Sequence, residues 1–203
     1  MITESTADTH TVNGRKMARV TSILKATGIS DFSELDKMPK AKRDYYMARG
    51  SGFHRLTEDI DNGIDSQFEY DPEVELYRPA YMKFLADTGF KPIEGGIEMA
   101  VSNEALGFAG RLDRLGRFPS MLRPDLWVCD YKLTSSRPGT AIQTAFYAMG
   151  LPKEIAPVFG DVGRCSVAFQ KEGKYKMTIY KDRRDRDVAM AAISVFNWIK
   201  ENT

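Results

Sequence analysis

The sequence lacks several features that would assign it to a common class of protein. No hydrophobic run approaches the roughly 18 apolar residues of a membrane-spanning helix, and the net charge is only +1. Because so small a charge gives no global positive field, any contact with nucleic acid must come from local basic patches. The chain has two cysteines, Cys129 and Cys165. They are too few for a disulfide framework or an iron–sulfur cluster, so we expect reduced core residues and no such cluster.

The sequence also has no secretory signal, no internal repeat and no nucleotide-binding motif. Residues 1–10 have neither the basic nor the apolar segment of a secretory signal, so we expect a cytoplasmic protein, in the host cytoplasm if the chain is virus-encoded. The absence of a Walker A motif argues against a helicase in this chain. Since no linker is rich in Pro, Gly or Ser, we expect a single domain over 1–203, with residues 1–10 flexible.

The spacing of apolar residues predicts an α/β domain with a mixed central sheet flanked by helices. Helices are predicted over 17–28, 39–63 with interruptions at Gly50 and Gly52, 72–88 with a break at Pro79, 136–150 and 185–202. Strands are predicted over 96–102, 106–118, 126–133, 164–170 and 174–180. We expect the second and third strands to form one hairpin and the last two to form another. The apolar face predicted for the last helix comprises Val188, Ala191, Ala192, Val195, Phe196 and Ile199.

Charged side chains interrupt two of these apolar strands. Side chains alternate along a strand, so Asp130 and Lys132 in "LWVCDYKL" share one face. Asp113 in "GRLDRLG" reaches the same patch from the neighbouring strand. Converging carboxylates hold Mg²⁺ or Mn²⁺ and leave positions for water and phosphate, which suits phosphodiester hydrolysis. Alternatively, Asp130 and Lys132 form an edge-strand ion pair while Asp113 pairs with Arg111 or Arg114.

Four short motifs occur in a fixed order around these residues: "RGSGFH", "GRLD", "DYK" and "QTAFY". This set resembles the RecB-like branch of the PD-(D/E)XK nucleases over His54 to Tyr147. The resemblance implies a restriction-endonuclease-like core in which Asp113 and Asp130 bind the metal and Lys132 is the catalytic lysine. An aspartate stands at Asp130, where glutamate is commoner in the family. His54 would bind the metal or orient a ligand; the alternative is a partly buried structural histidine.

Three further residues are drawn to the site by the same resemblance. Gln143 and Tyr147 are four apart on one helix face, where they would hydrogen-bond DNA or the lysine strand. Without the motif, Tyr147 would be interpreted as a core residue. Glu98 precedes the strand of Asp113, and some RecB-like nucleases have an additional acidic metal ligand there; otherwise Glu98 is a solvent-facing strand residue.

Basic and aromatic residues near the motifs suggest a path for nucleic acid. The arginines that flank the site in sequence are Arg111, Arg114, Arg117, Arg123 and Arg137. Tyr45, Tyr46 and Phe53 are either core residues or a stacking surface for an unpaired strand end. The cluster "KDRRDRD" is interleaved with aspartates and is typical of a solvated helix start.

Together these features predict a DNA exonuclease that uses Mg²⁺ or Mn²⁺ and resembles virus-encoded enzymes of end resection, recombination or repair. The expected partner is DNA, as linear duplex or single strand, with a recombination or single-strand-annealing protein as a further partner and no membrane. Two alternatives stay open. One is a structure-specific endonuclease, and the other is a non-catalytic module that binds nucleic acid or protein on the nuclease fold.

Overall fold

A computed structural model describes residues 2–6, 8–30, 37–64, 67–121, 124–133 and 135–203. Its strands are β1 (Ile2–Ser5), β2 (Thr9–Val12), β3 (Arg15–Arg19), β4 (Lys91–Asn103), β5 (Phe108–Arg117), β6 (Leu126–Leu133), β7 (Val162–Gln170) and β8 (Lys174–Ile179). Its helices are α1 (Val20–Ala26), α2 (Lys40–Asp61), α3 (Pro72–Glu75), α4 (Arg78–Thr88), α5 (Gly139–Met149) and α6 (Arg184–Asn202). None of the helices in these described segments is both long and apolar enough to span a membrane.

The strands form one eight-stranded mixed sheet, as the predicted α/β class requires. Its order is β1-β2-β3-β5-β6-β7-β8, and β4 pairs with β5 outside this path. β3 runs parallel to β5 and β6 parallel to β7, while the other pairs are antiparallel. Both predicted hairpins, β5–β6 and β7–β8, are confirmed.

Helices cover both faces of the sheet, and the alternation of β6 divides the core in two. Val128 packs with α1, α5 and α6 on one face. Trp127, Cys129 and Tyr131 pack with α2, α3 and α4 on the other face, in a cluster rich in aromatic rings. The strand that carries Asp130 is therefore packed on both faces by buried side chains. Cys129 and Cys165 are buried free thiols, as predicted.

β5 and β6 separate beside the motif residues. Their antiparallel pairing covers Arg114, Leu115 and Gly116 of β5 and stops there. Across the opening, the carboxylate of Asp113 accepts the backbone N–H of Tyr131 at 2.6 Å. Because a side chain takes over a bond that the ladder would otherwise make, the sheet splits at Asp113 and leaves room for a site.

The beginning of the chain differs from the sequence prediction. Residues 1–10 were expected to be flexible, but β1 and β2 lie within them or extend from them and pair with each other at the edge of the sheet. The predicted helix over 17–28 begins only at Val20, because Met17 to Arg19 complete β3. These short polar strands have little apolar alternation, so their pairing with β5 through β3 could not be inferred from periodicity.

Helix α2 is continuous, so the predicted interruptions at Gly50 and Gly52 are wrong. Glycine disfavours a helix interior by about 1 kcal/mol, but packing overrides this preference. A Cβ on Gly52 would lie 2.9 Å from Val74 Cγ2, so glycine permits close approach of α3. The break predicted at Pro79 is confirmed, since α3 ends at Glu75 and α4 begins at Arg78 with proline in its first turn.

The predicted apolar face of α6 is only partly correct. The helix buries Ala189, Ala192 and Ile193, while the predicted Val188 and Val195 are exposed. Ala191 is exposed as well, and Phe196 and Ile199 are half-buried. Two overlapping stripes have helical spacing, and sequence spacing alone could not decide which of them faces α1 and α5.

Candidate metal centre

His54 lies in the half of α2 that packs against the sheet. Its neighbour Phe53 is fully buried in the aromatic cluster, which fixes the helix at this turn. The imidazole Nδ1 lies 3.3 Å from Glu98 Oε1 and 3.7 Å from Asp113 Oδ1. Burial opposes the charged imidazole, but Asp113 and Glu98 outweigh it and raise the pKa of His54. His54 is therefore held among carboxylates, as a metal ligand or a residue that orients one would be; its role stays a prediction beside that of a partly buried structural histidine.

Glu98 enters the site through an irregularity in β4. The residues on either side of it pair with Arg114 and Leu112 of β5, and Asp113 lies between those two partners. Glu98 itself has a φ of +47°, a conformation that costs a residue other than glycine about 1–3 kcal/mol. Burial opposes its ionisation, but His54 lowers its pKa below the usual value. A strained backbone thus aims an ionised carboxylate at the imidazole, and Glu98 is not a solvent-facing strand residue.

Asp113 completes the cluster from β5. One potential ligand atom each from His54, Glu98 and Asp113 lies within 4.8 Å of the other two. With one carboxylate oxygen accepting the Tyr131 N–H, Asp113 keeps its other oxygen toward His54. Sequence positions 54, 98 and 113 thereby meet at the point where β5 leaves β6.

Asp130 lies beside this cluster but is not among its three mutually close residues. It is 1% exposed, and Lys132 Nζ lies 2.7 Å from Asp130 Oδ2. Burial raises the pKa of Asp130 to about 6; Asp113 also raises it, whereas Lys132 lowers it. Three of the four predicted ligands are thus mutually close, while Asp130 contacts the lysine and stays a predicted ligand.

Lys132 lies beside the cluster, where it contacts Asp130 and Gln143. Burial disfavours its charged form, but Asp130 and Asp113 outweigh that effect and raise its pKa. Gln143 Oε1 accepts from Lys132 Nζ at 3.5 Å, while Gln143 Nε2 donates to the Tyr147 hydroxyl at 2.8 Å. Gln143 and Tyr147 therefore support the lysine from one face of α5.

Tyr147 itself is a core residue that reaches the site indirectly. It is 4% exposed, and a Cβ on Gly110 would lie 2.9 Å from its ring. The glycine of the "GRLD" motif thus makes room for this ring. Of the two predicted uses of Tyr147, the hydrogen bond with Gln143 links it to the lysine strand, while contact with DNA stays a prediction.

Comparison with known proteins assigns no family. The chain matches no family model and no curated protein.

The donor atoms of the site itself fit a divalent cation. Carboxylates are hard ligands suited to Mg²⁺ or Mn²⁺, and one imidazole shifts the preference toward Mn²⁺. Both carboxylate oxygens of Asp130 are buried without a hydrogen bond, although the Lys132 ammonium is close to one of them. A buried carboxylate is normally satisfied by hydrogen bonds or by a metal. His54, Glu98 and Asp113 would hold such an ion, with Asp130 at its edge.

Arg114 is a supporting residue that the sequence analysis placed incorrectly. It was expected to track phosphate or to pair with the Asp113 carboxylate, but it is 0% exposed. Its guanidinium lies 2.6 Å from Asp61, 3.0 Å from Thr57 and 3.3 Å from Glu98. Successive side chains on a strand point to opposite faces, so the sequence could have predicted that Arg114 faces away from its neighbours Asp113 and Leu115. Arg114 joins α2 to β4 and β5 beneath the cluster.

The other predicted basic residues are spread around the sheet. Arg137 lines the same cleft as His54 and Lys132, and Arg111 lines a separate pocket with Tyr147. Arg117 is exposed and pairs with Asp125 at 2.9 Å. Arg123 lies outside the described residues. Within the 181–187 cluster, Arg184 pairs with Asp182 at an exposed helix start, as predicted.

Proposed function

We propose that this protein is a metal-dependent deoxyribonuclease of the RecB-like branch of the PD-(D/E)XK nucleases, with a restriction-endonuclease-like core. The observation that carries the proposal is the meeting of His54, Glu98 and Asp113 within 4.8 Å. The Asp130–Lys132 ion pair lies beside them. These residues come from one helix and three strands. Four of them belong to the RecB-like motifs, and Glu98 stands where some RecB-like nucleases have an additional acidic residue. Exonuclease action in end resection, recombination or repair is the form of the proposal that the resemblance favours.

The chemistry follows from what each residue can do. A divalent cation held by the cluster would polarise a phosphate and activate a water for in-line attack. Lys132 supplies positive charge next to that position and stabilises the negative charge that develops on the phosphate. Gln143 limits the rotation of the ammonium, and Tyr147 fixes Gln143. Asp130 keeps Lys132 charged, since it raises the pKa of the lysine.

The decisive experiment is degradation of labelled linear duplex, linear single-stranded and closed circular DNA with Mg²⁺, Mn²⁺ or EDTA. We expect metal-dependent loss of linear DNA, and a rate at least about 100-fold lower for Lys132→Ala. Lys174→Ala is the matched control, because Lys174 is exposed and its ion pair is with the exposed Glu172 in the β7–β8 hairpin. Circular dichroism melting of each variant checks that the fold is retained.

The substrates separate the alternatives. Cleavage of the closed circle, which has no ends, would identify an endonuclease. Absence of cleavage by the wild type under every metal condition, with DNA or protein binding retained, would overturn the catalytic proposal and leave a binding module. Equal rates for wild type and Lys132→Ala would remove the lysine from the mechanism.

A further inference from the structure

The first half of α2 extends away from the core beside the metal centre. No side chain from Lys40 to Gly52 is buried, whereas burial begins at Phe53. At about 1.5 Å per residue, these residues form roughly 20 Å of exposed helix. We call residues 40–52 the basic arm. A helical segment without a fully buried side chain gains less stability from packing than the half that follows it, so its composition calls for an explanation other than core formation.

The charge of the basic arm is concentrated and of one sign. Its basic residues are Lys40, Lys42, Arg43 and Arg49, against a single acidic residue, Asp44. Asp44 lies 3.7 Å from Lys40 in an exposed pair, which contributes little to stability. The whole chain has a net charge of only +1. The arm is therefore a local basic patch of the kind that a polyanion requires.

Aromatic rings are interleaved with these charges. The rings of Tyr45 and Tyr46 lie 5.7 Å apart, and Tyr45 is 45% exposed. The Arg49 guanidinium lies 4.9 Å from the Tyr46 ring centroid and 5.9 Å from that of Tyr77. Arg49 Nε is buried and donates no hydrogen bond. Arg49 as a whole is only half-buried, and a guanidinium stacked on rings is a group that commonly binds a phosphate next to stacked bases.

The basic arm leads directly into the metal centre. A cleft of about 700 Å³ is lined by Tyr46 and Arg49 of the arm, by His54 and Lys132 of the site, and by Arg137 opposite. None of the described residues that line this cleft is acidic, so a strand lying in the cleft would reach the cluster past basic and aromatic side chains. Stacking on tyrosine needs an open base face, which a duplex does not offer and an unpaired strand does.

We infer that the basic arm binds an unpaired DNA strand, with bases stacked on Tyr45 and Tyr46 and a phosphate on Arg49, and guides it to the metal centre. The inference deepens and rests on the proposed nuclease function. It assigns the substrate as single-stranded DNA or the unpaired end of a duplex. A polyanion recognised by charge alone, such as an acidic peptide, would not need the tyrosines.

The test measures binding of a fluorescein-labelled oligothymidine by anisotropy in EDTA, where metal-dependent cleavage cannot occur. We expect Tyr46→Ala combined with Arg49→Gln to weaken binding about tenfold or more. Arg49→Gln alone should reduce the slope of log affinity against log salt by about 0.7. The matched control is Trp198→Ala combined with Arg186→Gln, because both residues are exposed on α6 over the opposite face of the sheet. A blunt hairpin duplex and a polyglutamate peptide serve as comparison ligands.

The outcomes separate this inference from the proposed function. Selective loss of oligothymidine binding in the arm variant supports the arm, whether or not the wild type cleaves DNA. If the arm variant binds oligothymidine as tightly as the wild type does, the inference is overturned. The nuclease proposal survives that result if Mg²⁺-dependent cleavage persists. Polyglutamate binding as tight as that of oligothymidine, unaffected by Tyr46→Ala, would identify a charge-only protein surface instead. If the double variant has a lowered melting temperature, Tyr45→Ala replaces it in the binding test, because the Tyr45 ring is solvent-exposed and its removal should not disturb the fold. Weaker oligothymidine binding by Tyr45→Ala then supports the inference, and unchanged binding overturns it.

Discussion

The two halves of α2 differ in almost every property although they belong to one helix. Residues 53–61 bury Phe53 and Leu56 and carry His54 into the metal centre. Residues 40–52 have no fully buried side chain, although Gly52 approaches Val74 and Arg49 stacks on Tyr77. They carry the tyrosines and most of the basic residues of the helix. Packing positions one half to within the tolerance of a metal site, and the absence of full burial leaves the other half accessible to a ligand. One helix thus connects the proposed binding surface to the candidate metal centre.

Removing Arg114 should have the largest effect, because it anchors the packed half. Arg114→Met leaves Asp61 buried without its ion pair, and we expect a loss of about 3–5 kcal/mol in the free energy of unfolding. Arg117→Met on the same strand is the control. Its partner Asp125 is exposed, so its loss should stay within about 1 kcal/mol. Urea unfolding of both variants measures the difference, and similar losses would remove Arg114 as an anchor.

The next largest effect should be on metal affinity, which we expect to depend on the packed half of α2 and not on the basic arm. His54→Ala removes a donor from the packed half, and we expect Mn²⁺ affinity to fall about tenfold to 100-fold. Tyr46→Ala changes only the basic arm and should leave Mn²⁺ affinity unchanged. Titration calorimetry with Mn²⁺ measures both. An unaltered affinity in His54→Ala would mean that the carboxylates alone form the site.

The two glycines of α2 test where packing against α3 begins, since both lie near the end of the basic arm but differ in what surrounds them. A Cβ on Gly50 meets nothing within 4 Å, but one on Gly52 lies 2.9 Å from the buried Val74. Gly50→Ala should therefore raise the free energy of unfolding by about 0.5–1 kcal/mol. Gly52→Ala should lower it by about 1–3 kcal/mol, because the stiff valine cannot move aside. Thermal melting of the pair measures the opposite signs, and stabilisation by both would contradict the close contact with α3.

The smallest expected effect concerns Tyr70, which donates a hydrogen bond to Asp59 of the packed half. Burial and Asp59 raise the pKa of Tyr70 to about 12. Because the folded pKa exceeds the ordinary value of about 10, this contribution to stability is complete below pH 10 and disappears as the pH rises through 12. Near-ultraviolet titration of wild type and Tyr70→Phe isolates this group. A difference curve with an ordinary midpoint would show that the contact does not form.

Local sequence patterns anticipated the strands and residues whose signals are strong. The alternation in β6 correctly placed Asp130 and Lys132 on one face, and the hairpins followed from their turns. Glu98 was associated with the site by resemblance alone, since nothing local predicts a left-handed residue in a strand. Arg114 was misplaced because its partner Asp61 lies 53 positions away in sequence.

The sequence by itself determined the alternating strands, the order of the motifs and the chemical character of the candidate ligands, because these depend on neighbours along the chain. Only the tertiary structure decided that β5 and β6 separate at Asp113, that Asp130 pairs with Lys132 beside the histidine cluster, and that residues 40–52 of α2 have no fully buried side chain. Those features depend on which surfaces compete for burial and on charges brought together from distant positions. Such a competition is settled only when the whole chain packs.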